Sequence, residues 1–314
     1  MSLALIFPGQ GSQAVGMGRA VYDAFAESRA VFDEVDSALG EKLSTVIFEG
    51  PEPTLTLTAN AQPALMAVSI AVLRAMEARG FDLKASATYV AGHSLGEYSA
   101  LAAAGMFSIA DTARLLRIRG NAMQAAVPVG EGAMAAIIGL EQADVEKACA
   151  EAAENSVCQV ANDNGGGQLV ISGAKAAIER AAKLCTEMGA KRALMLQVSA
   201  PFHSALMAPA AEAMRAALAD VAKKPPIVPV IANVVVEPLT NPDQISARLV
   251  EQVTGRVRWR ETVEWFGANG VTTLYELGAG KVLTGLARRI DKNISGVAVN
   301  SPADVETALA AILG

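Results

Sequence analysis

Thr88-Tyr89-Val90-Ala91-Gly92-His93-Ser94-Leu95-Gly96-Glu97 is the stretch on which the fold of this chain turns. The apolar run from Thr88 to Ala91 gives way to a small-residue helical run from Tyr98 to Gly105, so Ser94 falls where a strand bends sharply into a helix. That is the setting of a nucleophile elbow. Gly92 and Gly96 have a physical reason to flank the serine, because the turn is strained and strand and helix approach too closely there for a Cβ.

Outward from the elbow, the chain alternates strands and helices. Leu3 to Phe7 reads as a buried parallel strand ending at Pro8, and Gln62 to Arg79 reads as a helix stopped by Gly80. A helical pattern runs through Val21, Phe25, Phe32, Val35 and Leu39. After the elbow, Ser108-Ile109-Ala110-Asp111 resembles a capping box and opens a helix through Arg114, Leu115, Ile118 and Met123. Gly9-Gln10-Gly11-Ser12-Gln13-Ala14 fits a loose dinucleotide fingerprint, but the acidic residues about 20 positions on lie in the helical pattern rather than at the end of a second strand. Gly278-Ala279-Gly280-Lys281 lacks the first glycine and the final Ser/Thr of a phosphate loop.

Beyond the break at Pro128, Gly130 and Gly132 the order becomes strand (133–139), helix (142–153), strand (157–161), strand (168–172), helix (175–188) and strand (192–198). This β-α-β-β-α-β order is that of a ferredoxin-like split unit, with residues 162–167 as the turn between its middle strands. Further α/β alternation follows: a helical run at 204–223, an extended strand at 227–236, helices at 244–253 and 261–269, a strand at 272–277, a helix at 282–290, a strand at 296–300 and a closing helix at 302–313. The fold class expected is α/β, a parallel sheet covered on both faces, spanning residues 1–128 and 199–314, with a ferredoxin-like subdomain inserted at 129–198.

Composition narrows the function classes. The 314 residues are 52% apolar and 18% charged, and a net charge of −6 leaves no excess of basic residues for general binding to nucleic acid. No stretch is long enough to cross a bilayer and the N-terminus lacks a basic leader, so a cytoplasmic protein without membrane attachment is expected. The three cysteines, Cys149, Cys158 and Cys185, have no metal-ligand spacing, and with two histidines in the chain no metal site is expected; reduced, buried thiols are.

A serine hydroxyl needs an adjacent base. His93 precedes Ser94 on a strand, where successive side chains point to opposite faces, so it is badly placed to take the proton. His203, in the loop Ser199-Ala200-Pro201-Phe202-His203, is the remaining histidine and the expected general base and acid. No acid completes a triad clearly: Asp111, Asp144 and Asp163 have helix-cap, helix-surface and turn explanations, leaving a neutral acceptor such as a backbone carbonyl. Oxyanion donors are expected from the N–H of Leu95 and from the Gly-Gln-Gly loop at Gln10.

Phe7-Pro8-Gly9-Gln10-Gly11-Ser12-Gln13, Gly92-His93-Ser94-Leu95-Gly96-Glu97, Arg119-Gly120, Ala161-Asn162, Phe202-His203-Ser204, and Gln252 with Val257 and Trp259 occur in the order seen in malonyl-CoA:acyl carrier protein transacylases. The chain resembles that family from its first strand to Gly280-Lys281-Val282-Leu283, departing at Ala279, where many relatives have proline. The resemblance implies an α/β-hydrolase-like core with the ferredoxin-like insertion, and ping-pong transfer of malonyl from coenzyme A to acyl carrier protein in fatty-acid synthesis. It implies Ser94 as nucleophile, His203 as base, the main-chain carbonyl of Gln252 as its orienting group, Gln10 and Leu95 as oxyanion donors, and Arg119 as the malonyl carboxylate's partner. His93, Asn162 and Phe202 are expected around the substrate, although Asn162 also suits a turn, and Phe202 is expected to restrict branching at the acyl α-carbon. No cofactor is implied, coenzyme A being a substrate carrier, and a monomer is expected. Malonyl-CoA and acyl carrier protein, both acidic partners, call for local positive patches, for which Arg256, Arg258 and Arg260, or Lys281, Arg288 and Arg289, are candidates. A serine thioesterase or esterase would share the elbow, and a non-catalytic carrier-binding subunit would share the fold but need not keep both serine and histidine.

Overall fold

The computed structural model describes residues 2–314. The chain opens with β1 (Ser2–Phe7), α1 (Arg19–Ala24), α2 (Ala26–Leu39), α3 (Leu43–Glu49), α4 (Glu52–Thr56), α5 (Thr58–Glu77) and α6 (Leu83–Ser86), then reaches the elbow strand β2 (Ala87–Gly92). Helices α7 (Gly96–Ala103) and α8 (Ile109–Ala125) follow. A second unit holds β3 (Gly132–Ile138), α9 (Gln142–Ala153), β4 (Cys158–Gly165), β5 (Gln168–Ala174), α10 (Lys175–Glu187) and β6 (Arg192–Met195). The chain closes with α11 (Ala208–Asp220), β7 (Val230–Ile231), β8 (Pro238–Leu239), α12 (Pro242–Thr254), α13 (Trp259–Ala268), β9 (Val271–Leu277), α14 (Val282–Ile290), β10 (Ser295–Val299) and α15 (Pro302–Leu313).

Six strands form one sheet in the order β10-β9-β1-β2-β7-β8, parallel except for the β7–β8 pair. Alternation along β1 shows why both faces are covered: Leu3, Leu5 and Phe7 pack into one core with residues of α5, α7 and α8, whereas Ala4 and Ile6 pack into a second with Val263, Phe266, Leu283 and Leu286. Helix α5 is buried on nearly every side, as expected of a helix apolar all round. The second sheet is antiparallel in the order β4-β5-β3-β6, the arrangement expected of the split unit. Ala135, Ile137 and Ile171 pack on one face against Val145, Ala148, Ile178 and Ala181 of α9 and α10. Its other face turns Met134, Ala136 and Val170 toward the cavity described below.

The expected α/β class and its antiparallel second sheet are therefore both present, with three local corrections. The pattern from Val21 to Leu39 is two helices, because Phe25 adopts an extended conformation between them. Strand β4 runs on through Asn162 and Asp163, so neither is a turn residue; the turn is Gly166-Gly167, and both glycines have positive φ as a tight hairpin turn requires. Asp163 is buried and accepts from Arg260 Nε at 2.8 Å. The extended segment expected over 227–236 pairs only at Val230 and Ile231, because the chain then turns: Val236 N–H donates to Ala232 O at 2.9 Å and Val236 sits at φ 58. Among the described residues no helix is long and apolar enough to cross a membrane.

Candidate active site

The elbow is built where β2 ends against β1. Ser94 has φ 56, in the left-handed region that a non-glycine residue enters only when its surroundings hold it there. A Cβ on Gly92 would collide with the Gly96 carbonyl, and one on Gly96 with the Phe7 carbonyl, so both glycines are required by backbone contact. Helix α7 starts immediately afterwards, with Leu95 as its N-cap. Among the described residues the N–H groups of Leu95 and Gln10 donate to no group of the chain, which leaves both available to an oxyanion. Gln10 follows Gly9, whose missing side chain lets the loop after β1 approach the His93 carbonyl.

Ser94 Oγ lies 2.7 Å from His203 Nε2, and His203 Nδ1 lies 2.8 Å from the Gln252 carbonyl oxygen. A carbonyl can only accept, so Nδ1 carries the proton and Nε2 is left to accept from the serine. His203 is buried, and burial followed by the positive charge of Arg119 holds its imidazole down to a pKa of about 3, so the ring is a neutral base. Gln159 of β4 supports the histidine loop: its Nε2 donates to His203 O at 3.4 Å and its Oε1 accepts from Ala205 N at 3.0 Å.

Arg119 of α8 is 1% exposed, which removes the reading of a solvated charge beside Arg114 and Arg117. Helix α8 can bring it inward because Gly120 packs on the start of α5, where a Cβ would meet Ala59 Cα at 2.6 Å. Its guanidinium donates to Gln62 Oε1 at 2.7 Å, to Gln252 Oε1 at 3.0 Å and to Ser94 Oγ at 3.2 Å. Gln62, Ser94 and Arg119 line one cavity of about 400 Å³, together with Gln10, His93, Leu95, Asn162, Phe202 and His203.

A serine hydroxyl bonded to a neutral imidazole with a carbonyl behind it, two unpaired backbone donors and a buried cation form a set that can move an acyl group. The family model for the acyl transferase domain matches residues 4–305. The chain belongs to the acyl transferase family. It is 48% identical over 306 residues to the malonyl CoA-acyl carrier protein transacylase of Escherichia coli strain K12, covering 98% of each chain. The crystal structure of an acyl-carrier-protein-S-malonyltransferase from Bartonella henselae superposes with a TM-score of 0.99 at 62% identity, with full coverage of both chains. A type II PKS acyl-carrier protein in complex with its malonyl-transacylase contains a similar chain, 43% identical, with a TM-score of 0.96 and coverage of 99% of this chain and 100% of that one.

Around this candidate site the remaining expected residues fall as follows. His93 points away from the serine hydroxyl: its Nε2 lies 2.9 Å from Asn164 Oδ1, and burial lowers its pKa. Asn162 and Phe202 are both buried and reach the cavity wall. Sequence reasoning passed over Gln62, Glu97, Asn164 and Asn233. Gln62 bridges Arg119 and Thr58, and Thr58 Oγ1 donates to Gln10 Oε1 at 3.0 Å. Glu97 is buried at the start of α7, and burial pushes its carboxyl up to a pKa of about 7, against the pull of Asn233 N–H, Gln252 Nε2 and Arg119. The one signal for these residues was polarity inside apolar runs, such as Asn233 between Ala232 and Val234.

The two basic patches also separate. Arg256 pairs with Glu146 and Glu261, Arg258 with Glu261, and Arg260 with Asp163 and Glu264, so that cluster is already neutralised. Lys281, Arg288 and Arg289 are exposed and, among the described residues, make no ion pair. Lys281 is the N-cap of α14 and Arg288 and Arg289 lie in its last turn, while Val282, Leu283 and Leu286 of the same helix line the cavity.

Proposed function

We propose that this chain transfers a malonyl group from coenzyme A to the phosphopantetheine thiol of acyl carrier protein, in fatty-acid synthesis, through an acyl-enzyme on Ser94. The reading is carried by one observation, a buried guanidinium 3.2 Å from the same serine oxygen that meets the neutral His203. It is supported by the names of the relatives, which are malonyl transferases of acyl carrier protein.

In the first half-reaction Ser94 Oγ attacks the thioester carbonyl as its proton passes to His203 Nε2. The Gln252 carbonyl, already bonded to Nδ1–H, stabilises the imidazolium that forms. The developing oxyanion is held by the N–H groups of Leu95 and Gln10. Collapse forms the Ser94 ester, breaks the C–S bond and returns the proton from Nε2 to the departing coenzyme A sulfur. The carrier thiol then gives its proton to Nε2 and attacks the ester, and Ser94 leaves with that proton. Arg119 receives the free carboxylate of malonyl through its guanidinium, a bidentate partner for a carboxylate. Burial makes that pairing selective, because an acetyl group would leave the charge without a partner. Lys281, Arg288 and Arg289 supply positive charge where coenzyme A phosphates and an acidic carrier arrive.

Incubation with malonyl-CoA followed by intact-mass measurement tests the mechanism. A single malonyl adduct on the wild-type chain, absent from Ser94→Ala and discharged on addition of holo-acyl carrier protein, is the expected result. Loss of the adduct to water with no malonylated carrier would instead make the protein a hydrolase.

A further inference from the structure

The elbow is held by a residue that touches no part of the cavity. Asn233 is fully buried on the turn that follows β7, and its side-chain amide spans the elbow: Oδ1 accepts from Ser94 N–H at 2.8 Å and Nδ2 donates to Gly92 O at 2.8 Å. Those two backbone groups bracket His93, so the amide pins the chain as it enters Ser94, which sits at φ 56. Asn233 is itself fixed through its backbone. Its N–H donates to Glu97 Oε2 at 3.0 Å, and its carbonyl accepts from Arg258 N–H at 3.1 Å.

Glu97 joins this clamp to the base. The same Oε2 accepts from Gln252 Nε2 at 2.8 Å, and Gln252 Nε2 also lies 3.0 Å from Ser94 O. The main-chain carbonyl of Gln252 is the acceptor behind His203. One carboxylate oxygen therefore sets both the residue that holds the nucleophile and the residue that holds the base. The turn carrying Asn233 includes Val236 at φ 58, a conformation that a β-branched residue adopts only when its surroundings over-determine it. Neither Glu97 nor Asn233 lines the cavity.

From this geometry we infer that Asn233 and Glu97 are positioning residues that lock the left-handed Ser94 backbone in register with His203. The inference rests on the reading of Ser94 as the nucleophile. It requires both residues to act on the rate of acylation and not on the capture of substrate, since substrate meets neither.

The test measures single-turnover malonylation of the full chain by rapid-quench intact mass, over a range of malonyl-CoA concentrations, for Asn233→Ala, Asn233→Asp, Glu97→Ala, Glu97→Gln and Ser94→Ala. The expected result is a fall of at least tenfold in the limiting rate for Asn233→Ala and Glu97→Ala, with half-saturation within twofold of wild type. Glu97→Gln, which keeps an oxygen acceptor for the Asn233 N–H, recovers most of the lost rate. Asn233→Asp keeps the acceptor for Ser94 N–H but loses the donor to Gly92, and decides the matter if the alanine variant does not fold. Wild-type limiting rates in the folded Asn233 variants, or a change confined to half-saturation, overturn the clamp while an inert Ser94→Ala leaves the nucleophile intact. A malonyl adduct on Ser94→Ala overturns the nucleophile and the clamp with it.

Discussion

At the scale of single residues, burial converts ordinary side chains into reactive ones. Arg119 on a helix surface would be a solvated charge; buried, its guanidinium can be satisfied only by a few fixed acceptors, of which Ser94 Oγ is one. Arg119→Ala is expected to reduce the preference for malonyl-CoA over acetyl-CoA by roughly ten- to a hundredfold, the equivalent of about 1.5–3 kcal/mol for charge-assisted hydrogen bonds. Competing acylation rates measure this, and an unchanged ratio removes Arg119 from substrate recognition. His203 provides a second case. Its folded pKa of about 3 lies below the ordinary 6.5, so the folded imidazole stays neutral as pH falls through the range in which the unfolded chain takes up a proton. The unfolded state then binds more protons than the native one, and this group subtracts stability as pH drops below about 6.5. In a His93→Gln background the one remaining imidazole resonance should not shift between pH 8 and pH 5 by NMR; a midpoint near 6.5 would contradict the buried, neutral base. The pairing of His203 with Ser94 was legible because histidine is scarce in this chain. The Gln252 carbonyl behind it was legible only through the family resemblance, because a main-chain carbonyl has no sequence signature.

At the scale of elements, the site depends on how closely backbones approach. Gly120 lets α8 lie against the first turn of α5, and Arg119 enters the cavity as its neighbour in sequence. Gly120→Ala should therefore cost stability by about 1–3 kcal/mol, as overpacking does, and should slow malonylation more than acetylation because α8 carries Arg119 away. Thermal melting with the two acylation rates checks both, and an unshifted melt would mean that the contact relaxes freely. Most elements could be located from periodicity and punctuation, with α9, α14 and α15 spanning the expected residues. The failures came where tertiary contacts outrank local pattern. Residues 227–236 have the composition of one long strand, but the turn at Ala232 to Val236 sends Asn233 into the elbow. Asn162 has the composition of a turn, but it is a strand residue because the glycines at 166 and 167 take the turn instead.

At the scale of the molecule, the cavity lies between two sheets that fold around different cores. The parallel sheet contributes the elbow and the loop after β1, while the antiparallel sheet contributes Met134, Ala136, Asn162 and Val170 to the opposite wall. Charge divides as well: Arg256, Arg258 and Arg260 are held in ion pairs around the start of α13, whereas Lys281, Arg288 and Arg289 of α14 are exposed and, among the described residues, make no ion pair. Charge reversal at Arg288 and Arg289 is expected to raise KM for acyl carrier protein several-fold at low salt, at about 0.2–1 kcal/mol for each exposed pair. The effect should shrink as salt rises, because exposed charges are screened. Steady-state kinetics at two ionic strengths check it, and a salt-independent change would argue for distortion of α14 instead. The sequence by itself determined the alternation of strands and helices, the elbow serine with its two glycines, and the histidine that serves it, because these depend on spacing along one element or on scarcity in the whole chain. Only the tertiary structure decided that Arg119 is buried, that the Gln252 carbonyl faces His203, and that Asn233 and Glu97 hold the elbow. Helical and strand periods fix a side chain's direction about its own axis, and they carry no information about which element, more than a hundred residues away, packs against it.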